Sequence, residues 1–261
     1  MMATDEETKL VGADRVLAVL TELAEHPQGA SLDELAQSLH SSKSTVHRAL
    51  TALRRAGLAS QVSRGIYILG DEFLRLAFRN YAARPEAVRV EPVLRELART
   101  YGETTHYAVL DGTDVVYRAK VDAPGGGVRL TSEIGGRNPA HRTAVGKLLL
   151  SYEISSEREL ERWIGGRALE ARTPNSITSA SELWAQLEAA RKNGFAVDDQ
   201  ENEPGVNCVA LPLGPELGSS PAGAISISAL AFRTPLAELV AAVPQIRQTI
   251  EASANSWDSV H

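Results

Sequence analysis

Two apolar stripes at helical spacing lie almost end to end in this chain: Leu32, Leu35, Ala36 and Leu39, then Val46, Ala49, Leu50, Leu53 and Ala56. Only His40, Ser41 and Ser42 separate them. So short a break forces two short helices to cross steeply around a shared core, which is the helix-turn-helix arrangement. Ser31 with Glu34 predicts a capping box at the first start, Ser42 offers a hydroxyl cap for the second, and Gly57 suits a left-handed end. An earlier stripe of Val16, Leu17, Leu20, Leu23 and Ala24 predicts a further helix over Asp14–His26, stopped by Pro27 and Gly29.

Because the core stripe claims one face of the second helix, Lys43, Ser44, Thr45, His47, Arg48 and Thr51 are left for its other faces. Residues at the N-terminal end of such a helix meet base edges when it enters a major groove, so Ser42, Lys43, Ser44, Thr45, His47 and Arg48 are the candidate DNA-binding residues. The runs LASQV and IYILG around Ser63-Arg64-Gly65 predict a hairpin, a wing with Arg64 at its tip for a phosphate or a minor groove. Charge agrees. The chain carries a formal net charge of −6, yet Leu35 to Gly70 holds Lys43, Arg48, Arg54, Arg55 and Arg64 and no acid. A solvated helix face would account for those charges alone, but not for the adjoining wing.

At 261 residues and 43% hydrophobic the chain is long enough for two domains. The expected division is a winged helix-turn-helix over 1–70, a linker helix over 71–84 and an α+β domain over 85–261. Asp71 is a candidate cap for the linker helix, whose stripe of Phe73, Leu74, Ala77, Phe78 and Tyr81 packs either on its own domain or on a twin, and Pro85 ends it. Beyond it, a helix broken by Pro92 and ending at Gly102 leads into strands around the Asp111-Gly112 turn. GVRLTSEIG and NPAH extend the strand pattern. Helices are expected over Ala144–Tyr152, Ser156–Ile164 and Ala180–Asn193, strands at FAVDD, VNCVALPL and AGAISISAL, and one terminal helix from Pro235.

No apolar run reaches the roughly 20 residues of a membrane span, and the acidic start is unlike a signal peptide, so a cytoplasmic protein with no membrane partner is expected. The single cysteine, Cys208, excludes an internal disulfide and the common structural zinc sites. No cofactor is expected.

Taken together, RVLAVLTELAEHPQGASLDELAQSLHSSKSTVHRALTALRRAGL, YILG, GETTHYAVLDGTDVVY, PAHRTAVGKLLLS, GFAVDDQENEPGVNCVALPL and AISISA resemble the IclR family of bacterial transcriptional regulators, in order and spacing. The resemblance covers nearly the whole chain, with KSTVHR and DDQENEPGVNC its most specific parts. It implies a winged helix joined to a GAF-like effector domain that binds a small organic or aromatic acid, assembly as a homodimer or homotetramer, and control of a catabolic operon, as a repressor, from a double-stranded DNA operator. The sequence departs from the family at His40, where Gly is usual, and at Arg142, where a small residue is usual. The wing is also short.

The start of HRTAVGK offers free N–H groups and the positive end of a helix dipole to an acid. The resemblance places Thr143, Ala144 and Val145 against the ligand, with Asp198, Cys208, Ser226 and Ser228 on the opposing strands. Alternation in AISIS sets Ser226 and Ser228 on one face and Ile225 and Ile227 on the other. Plainer readings stand beside these: Cys208 as a small buried hydrophobe, the serines as partners for backbone groups, and Asp198, Asp199, Glu201 and Glu203 as a solvated acidic loop or a metal site. His141, Cys208 and Asp198 are also the ingredients of a nucleophilic enzyme, although no nucleophile elbow, phosphate loop or metal motif accompanies them. A third reading is a winged-helix protein-interaction module without DNA binding.

Overall fold

The computed structural model describes residues 12–82, 85–125, 130–214 and 221–258, excluding the side chains of 82, 85–88 and 254–258. The chain divides into two compact units, 1–85 and 86–261.

In the first unit, helix α1 (Ala13–Ala24) leads through strand β1 (Ala30–Ser31) to α2 (Leu32–Ser38) and α3 (Lys43–Arg55). The capping box forms: Glu34 N–H donates to Ser31 Oγ at 3.2 Å, and Ser31 N–H donates to Glu34 Oε2 at 2.7 Å. His40 occupies the left-handed region at φ 45°, and Ser41 N–H then reaches back to the Ala36 carbonyl at 2.9 Å. That conformation is what turns the chain tightly enough for α3 to begin at Ser42, whose Oγ accepts from Thr45 N–H. Strands β2 (Ala59–Ser63) and β3 (Ile66–Leu69) form the wing, with β1 paired to the other edge of β3. Val19, Leu23, Leu35, Val46, Leu50 and Leu53 fill the core between the helices.

Three local expectations are corrected. The buried face of α1 is turned toward Val19 and Leu23, which leaves Leu17 59% exposed and Ala24 exposed. Ala56, the last residue of the α3 stripe, is also exposed, because the chain is already leaving the helix there. Helix α4 (Asp71–Ala82) starts on Asp71 itself, with Phe73 N–H bonded to the Gly70 carbonyl, so Asp71 lies in the first turn instead of capping it.

The second unit opens with α5 (Pro85–Tyr101), followed by β4 (Thr104–Asp111), β5 (Asp114–Val121) and β6 (Arg137–Pro139). A 3-10 turn over Ala140–Arg142 feeds α6 (Ala144–Glu153), then α7 (Glu157–Ile164) and α8 (Ala180–Asn193). Strands β7 (Ala196–Asp199), β8 (Val206–Leu213) and β9 (Gly223–Leu230) and helices α9 (Leu236–Ala241) and α10 (Val243–Asp258) complete it. The six strands form one antiparallel sheet in the order β6-β5-β4-β9-β8-β7. Helices cover both faces. Leu148, Leu150, Leu183 and Leu187 from α6 and α8 pack on one side, whereas Val93, Leu94 and Leu97 from α5 and Ile246 and Ile250 from α10 pack on the other.

Here too the structure departs from expectation. Helix α5 runs through Pro92 unbroken. An interior proline costs about 3 kcal/mol, but Val90, Val93, Leu94, Leu97 and Ala98 are all buried, and each larger apolar side chain recovers roughly 1.5–3 kcal/mol. The terminal helix is two helices, parted at Ala242, because Pro244 has no N–H with which to continue the ladder. Of GVRLTSEIG, residues 127–129 lie outside the described set, and 130–135 hold no strand, only irregular chain that ends in a turn at Ile134 and Gly135. There the Lys120 ammonium, donating to the Leu130 and Ser132 carbonyls at 3.0 and 2.7 Å, takes the place of a strand ladder.

The start of α6 depends on Gly146. A Cβ at this position would strike the backbone of Ala140, so only glycine lets the 3-10 turn fold back onto the helix. Gly146→Ala is therefore expected to destabilise this unit by about 1–3 kcal/mol. All three tryptophans, Trp163, Trp184 and Trp257, belong to this unit. Urea unfolding followed by their fluorescence reads the change, and an unaltered midpoint would show that the contact is not restrictive.

Candidate functional site

The outward face of α3 follows from its buried one. With Val46, Ala49, Leu50 and Leu53 inside, helical spacing sets Ser44, Arg48, Thr51 and Arg55 on one line directly opposite, and all four are exposed. Lys43 and His47 flank that line and are exposed, and Thr45 is half-buried. At the N-terminus the hydroxyls of Ser42, Ser44 and Thr45 form a cluster, with Ser42 Oγ 3.0 Å from Ser44 Oγ and 2.8 Å from Thr45 Oγ1. Arg64 projects from the β2–β3 turn, fully outside the core. The basic segment is not free of acids in space, however: Lys43 Nζ forms an exposed ion pair with Asp33 at 2.7 Å, an acid only two residues before the segment counted as acid-free. Sequence reasoning omitted Arg54 and Arg55 from the site, although their place on α3 could have been read from the same helical spacing.

In the second unit, register does the assembling. Asp198 lies opposite Cys208 and Cys208 opposite Ser228, so these three stand side by side on one face of the sheet; two residues along, Ser226 lies opposite His106 on the same face. Ile225 and Ile227 face the other core, as the alternation requires. The N-terminus of α6 sits over this face. Thr143 Oγ1 accepts from Gly146 N–H at 3.0 Å and the Thr143 carbonyl from Lys147 N–H at 2.9 Å, which leaves the Ala144 and Val145 N–H groups without an intrahelical partner. Between them lies a cavity of about 260 Å³ lined by all seven residues expected to meet an effector: Thr143, Ala144, Val145, Asp198, Cys208, Ser226 and Ser228.

The structure adds residues that sequence reasoning passed over. His106, Tyr117, Ser132 and Asn138 line the cavity from β4, β5 and the segment around β6, and Arg172 and Asn202 line it from two loops. The period-2 pattern of TTHYAVLD could have placed His106 on this face. Nothing periodic surrounds Arg172.

A hydrogen-bonded chain crosses the buried floor, running from Cys208 Sγ to Ser228 Oγ (3.1 Å), His106 Nδ1 (3.5 Å) and, through Nε2, Ser132 Oγ (2.8 Å). Burial, helped by the Lys120 charge, pushes His106 down to about 3, so the ring is neutral at physiological pH and accepts at one nitrogen while donating at the other. Burial pushes the Cys208 thiol well up and Tyr117 up to about 12. Asp198 rises to about 7, chiefly through burial and then through Glu201, against the N–H bonds it accepts from Glu201 at 2.7 Å and Asn202 at 3.4 Å. The floor is polar and nearly uncharged.

These placements separate the alternatives. His141 lines a different groove with Trp163 and Leu169, its Nε2 3.2 Å from the Glu170 carbonyl, so it does not join Cys208 and Asp198. Of the acidic residues, Glu201 is turned inward onto Lys147 and Asp199 is exposed. Among the described residues no group of three or more His, Cys, Asp or Glu is placed to hold a metal ion, and no helix is long and apolar enough to cross a membrane.

Residues 12–63 match the IclR helix-turn-helix domain, and residues 86–255 match the bacterial transcriptional regulator IclR C-terminal domain. The chain belongs to the IclR family of transcriptional regulators. Two similar proteins of Escherichia coli K12 are the HTH-type transcriptional regulator XynR, 32% identical over 90% of this chain and 92% of that one, and the transcriptional repressor IclR, 32% identical over 82% and 78%. A similar solved structure is the inducer-binding domain of the Acinetobacter transcription factor PobR, a double mutant in complex with 3-hydroxybenzoic acid. It is 27% identical, with a TM-score of 0.55 over 64% of this chain and 94% of that one. The IclR assignment makes the chain a DNA-binding regulator and not an enzyme, with an N-terminal helix-turn-helix and a C-terminal α+β domain.

The Asp198 carboxyl gives this IclR-family chain a pH signature. Because it titrates near 7 folded and near its ordinary 3.8 unfolded, it binds more protons folded than unfolded across that interval, and its contribution to stability falls as pH rises from about 4 to 7. In Asp198→Asn, Oδ1 still accepts from Glu201 and Asn202 but nothing ionises. The stability of the wild type relative to this variant is expected to drop between pH 4 and pH 7, read from urea midpoints, and a constant difference would remove the assignment.

Proposed function

We propose that this protein is a cytoplasmic homodimeric repressor whose two winged helices hold half-sites of an operator upstream of a catabolic operon, and whose affinity is set by a small carboxylic acid bound in the second unit. In this reading α3 lies in the major groove, with Arg48 and the hydroxyls of Ser42, Ser44 and Thr45 toward bases and phosphates and His47 beside them. Lys43 and Arg64 meet phosphates. The observation that carries the proposal is the exposed line Ser44–Arg48–Thr51–Arg55, whose arginines make no ion pair among the described residues, on the outward face of a helix-turn-helix.

The stripe of Leu74, Phe78 and Tyr81 on α4 supports pairing: each is exposed within its own unit, Phe78 by 69%, at spacings that form one apolar face. The acid effector is supported by the cavity, where the uncapped N–H groups of Ala144 and Val145 and the hydroxyls of Ser226 and Ser228 are donors, and by the 3-hydroxybenzoic acid in the PobR complex. The effector acts through unequal affinity for two arrangements of the dimer, with couplings of about 1–3 kcal/mol, or roughly 5- to 150-fold in operator affinity.

On operator duplexes selected from random sequence, Arg48→Ala is expected to weaken binding by about 1–3 kcal/mol and to relax preference at one position per half-site. Arg64→Ala should flatten the salt dependence of binding more than Lys43→Ala, because Lys43 already has Asp33 as a partner. Equal, unchanged slopes in both would exclude phosphate contact by either. The Ser226→Ala, Ser228→Ala double variant should lose the effector response and keep operator binding, and a fall in operator binding instead would make the serines structural.

A further inference from the structure

The segment between α7 and α8 carries a guanidinium whose backbone is fixed while its side chain is unengaged. Arg172 and Thr173 N–H both donate to Ser176 Oγ at 2.9 Å. Thr173 Oγ1 donates to the Gln200 carbonyl at 2.7 Å, Ser176 Oγ to the Glu201 carbonyl at 2.6 Å and Asn175 Nδ2 to the Asp199 carbonyl at 2.9 Å. Thr173 and Ser176 are buried. The loop is thus stitched to the turn between β7 and β8, the same turn that positions Asp198.

Arg172 lines the effector cavity, yet its guanidinium has no ion pair or hydrogen bond among the described residues. The other arginine on the lining, Arg137, is held by Asp111 and Asp114. Nearby, Arg142 donates from Nε to Asn202 Oδ1 at 3.0 Å and forms no ion pair among the described residues. Burial, and then the Arg172 charge, hold Arg142 below its ordinary value against the weaker pull of Glu170, Asp114 and Asp198, so the two guanidinia are close enough to repel. Glu133 and Glu203 line the same cavity, but Glu203 accepts from the Thr131 hydroxyl, and neither forms an ion pair with Arg172 among the described residues. Two adjacent cations on a fixed scaffold, neither in an ion pair among the described residues, are what an incoming anion requires.

Arg172 is exposed, whereas Ser226, Ser228 and the start of α6 are buried, so it stands at the rim and they stand at the floor. At about 260 Å³ the cavity is below the roughly 300–1,000 Å³ typical of drug-sized ligands, so a small molecule must reach both ends. We propose that Arg172, backed by Arg142, is a rim subsite for a second carboxylate, and that the effector is a small dicarboxylic acid. This rests on the acid-effector reading above, with the first carboxylate at the N-terminus of α6.

Titration calorimetry of the full chain with succinate against butyrate, and terephthalate against benzoate, tests the proposal. Each diacid should bind roughly 10- to 100-fold more tightly than its matched monoacid. Arg172→Gln should erase that advantage while weakening the monoacids far less than the diacids, and Arg172→Lys should keep part of it. Equal binding of diacid and monoacid by the wild type, or an advantage that survives Arg172→Gln, overturns the subsite and leaves the effector reading standing, provided that monoacid binding still disappears in Ser226→Ala, Ser228→Ala. If Arg172→Gln weakens monoacids as much as diacids, the arginine holds the only carboxylate and the diacid assignment falls. Binding of none of the four acids defeats both readings together.

Discussion

A lysine with no exposed surface organises the second unit. Lys147, in the second turn of α6, places its ammonium against the carboxylate of Glu201, itself buried in the turn between β7 and β8. Breaking such a pair strands a charge at a cost of about 3–5 kcal/mol, so wherever α6 packs on the sheet, that turn has to follow. Glu201 then passes the constraint on, because its N–H donates to Asp198 Oδ1 and its carbonyl accepts from Ser176 Oγ. One ion pair therefore fixes the helix N-terminus, the Asp198 edge of the sheet and the Arg172 loop relative to one another. Those are three walls of the cavity.

The cavity so framed keeps full charges away from its floor. Neutral His106, the undissociated Cys208 thiol and two serines form the base, and the ionic groups sit behind the wall or at the rim. Such a floor can rearrange its hydroxyl hydrogens to give or accept without moving a heavy atom, which suits a site that must distinguish ligands by shape and acceptor pattern. Asp198 is the exception. Its carboxyl titrates close to neutrality beside the cavity, and its protonated form adds one more donor to the lining.

Much of this was legible in the sequence because much of it is periodic. The helix-turn-helix followed from two 3.6-residue stripes and the two capping hydroxyls of Ser31 and Ser42, and the serine pair of the cavity followed from strict alternation in AISIS. What periodicity could not reach was the result of packing between distant segments. Pro92 reads as a breaker, but the apolar contacts of α5 outweigh its missing bond, and the Leu17 stripe is displaced because the α1 surface facing α3 is centred elsewhere. Arg172 was invisible for another reason: it sits in a loop with no repeat, held by side chain to backbone bonds whose partners are some 25 residues away. The Lys43–Asp33 pair shows the converse error, a charge count taken along the chain where the distance that matters runs between α2 and α3.

That pair bears on how an acidic protein holds DNA. Of the five cations between Leu35 and Gly70, Lys43 is already partly neutralised, which leaves Arg48, Arg54, Arg55 and Arg64 outside ion pairs among the described residues. Even if all four met phosphates, counterion release would give a salt slope of only about −3.6 per head, far shallower than that of a protein making ten contacts. The formal charge of −6 over the whole chain further opposes loose association with any duplex. One head alone therefore draws little from counterion release, and in the homodimer proposed above the second head supplies the rest, at high effective concentration on the same duplex. A regulator built in this way gains control cheaply: a ligand has only to change whether both heads can reach their half-sites together, and the second head's contribution is lost without altering a single contact residue.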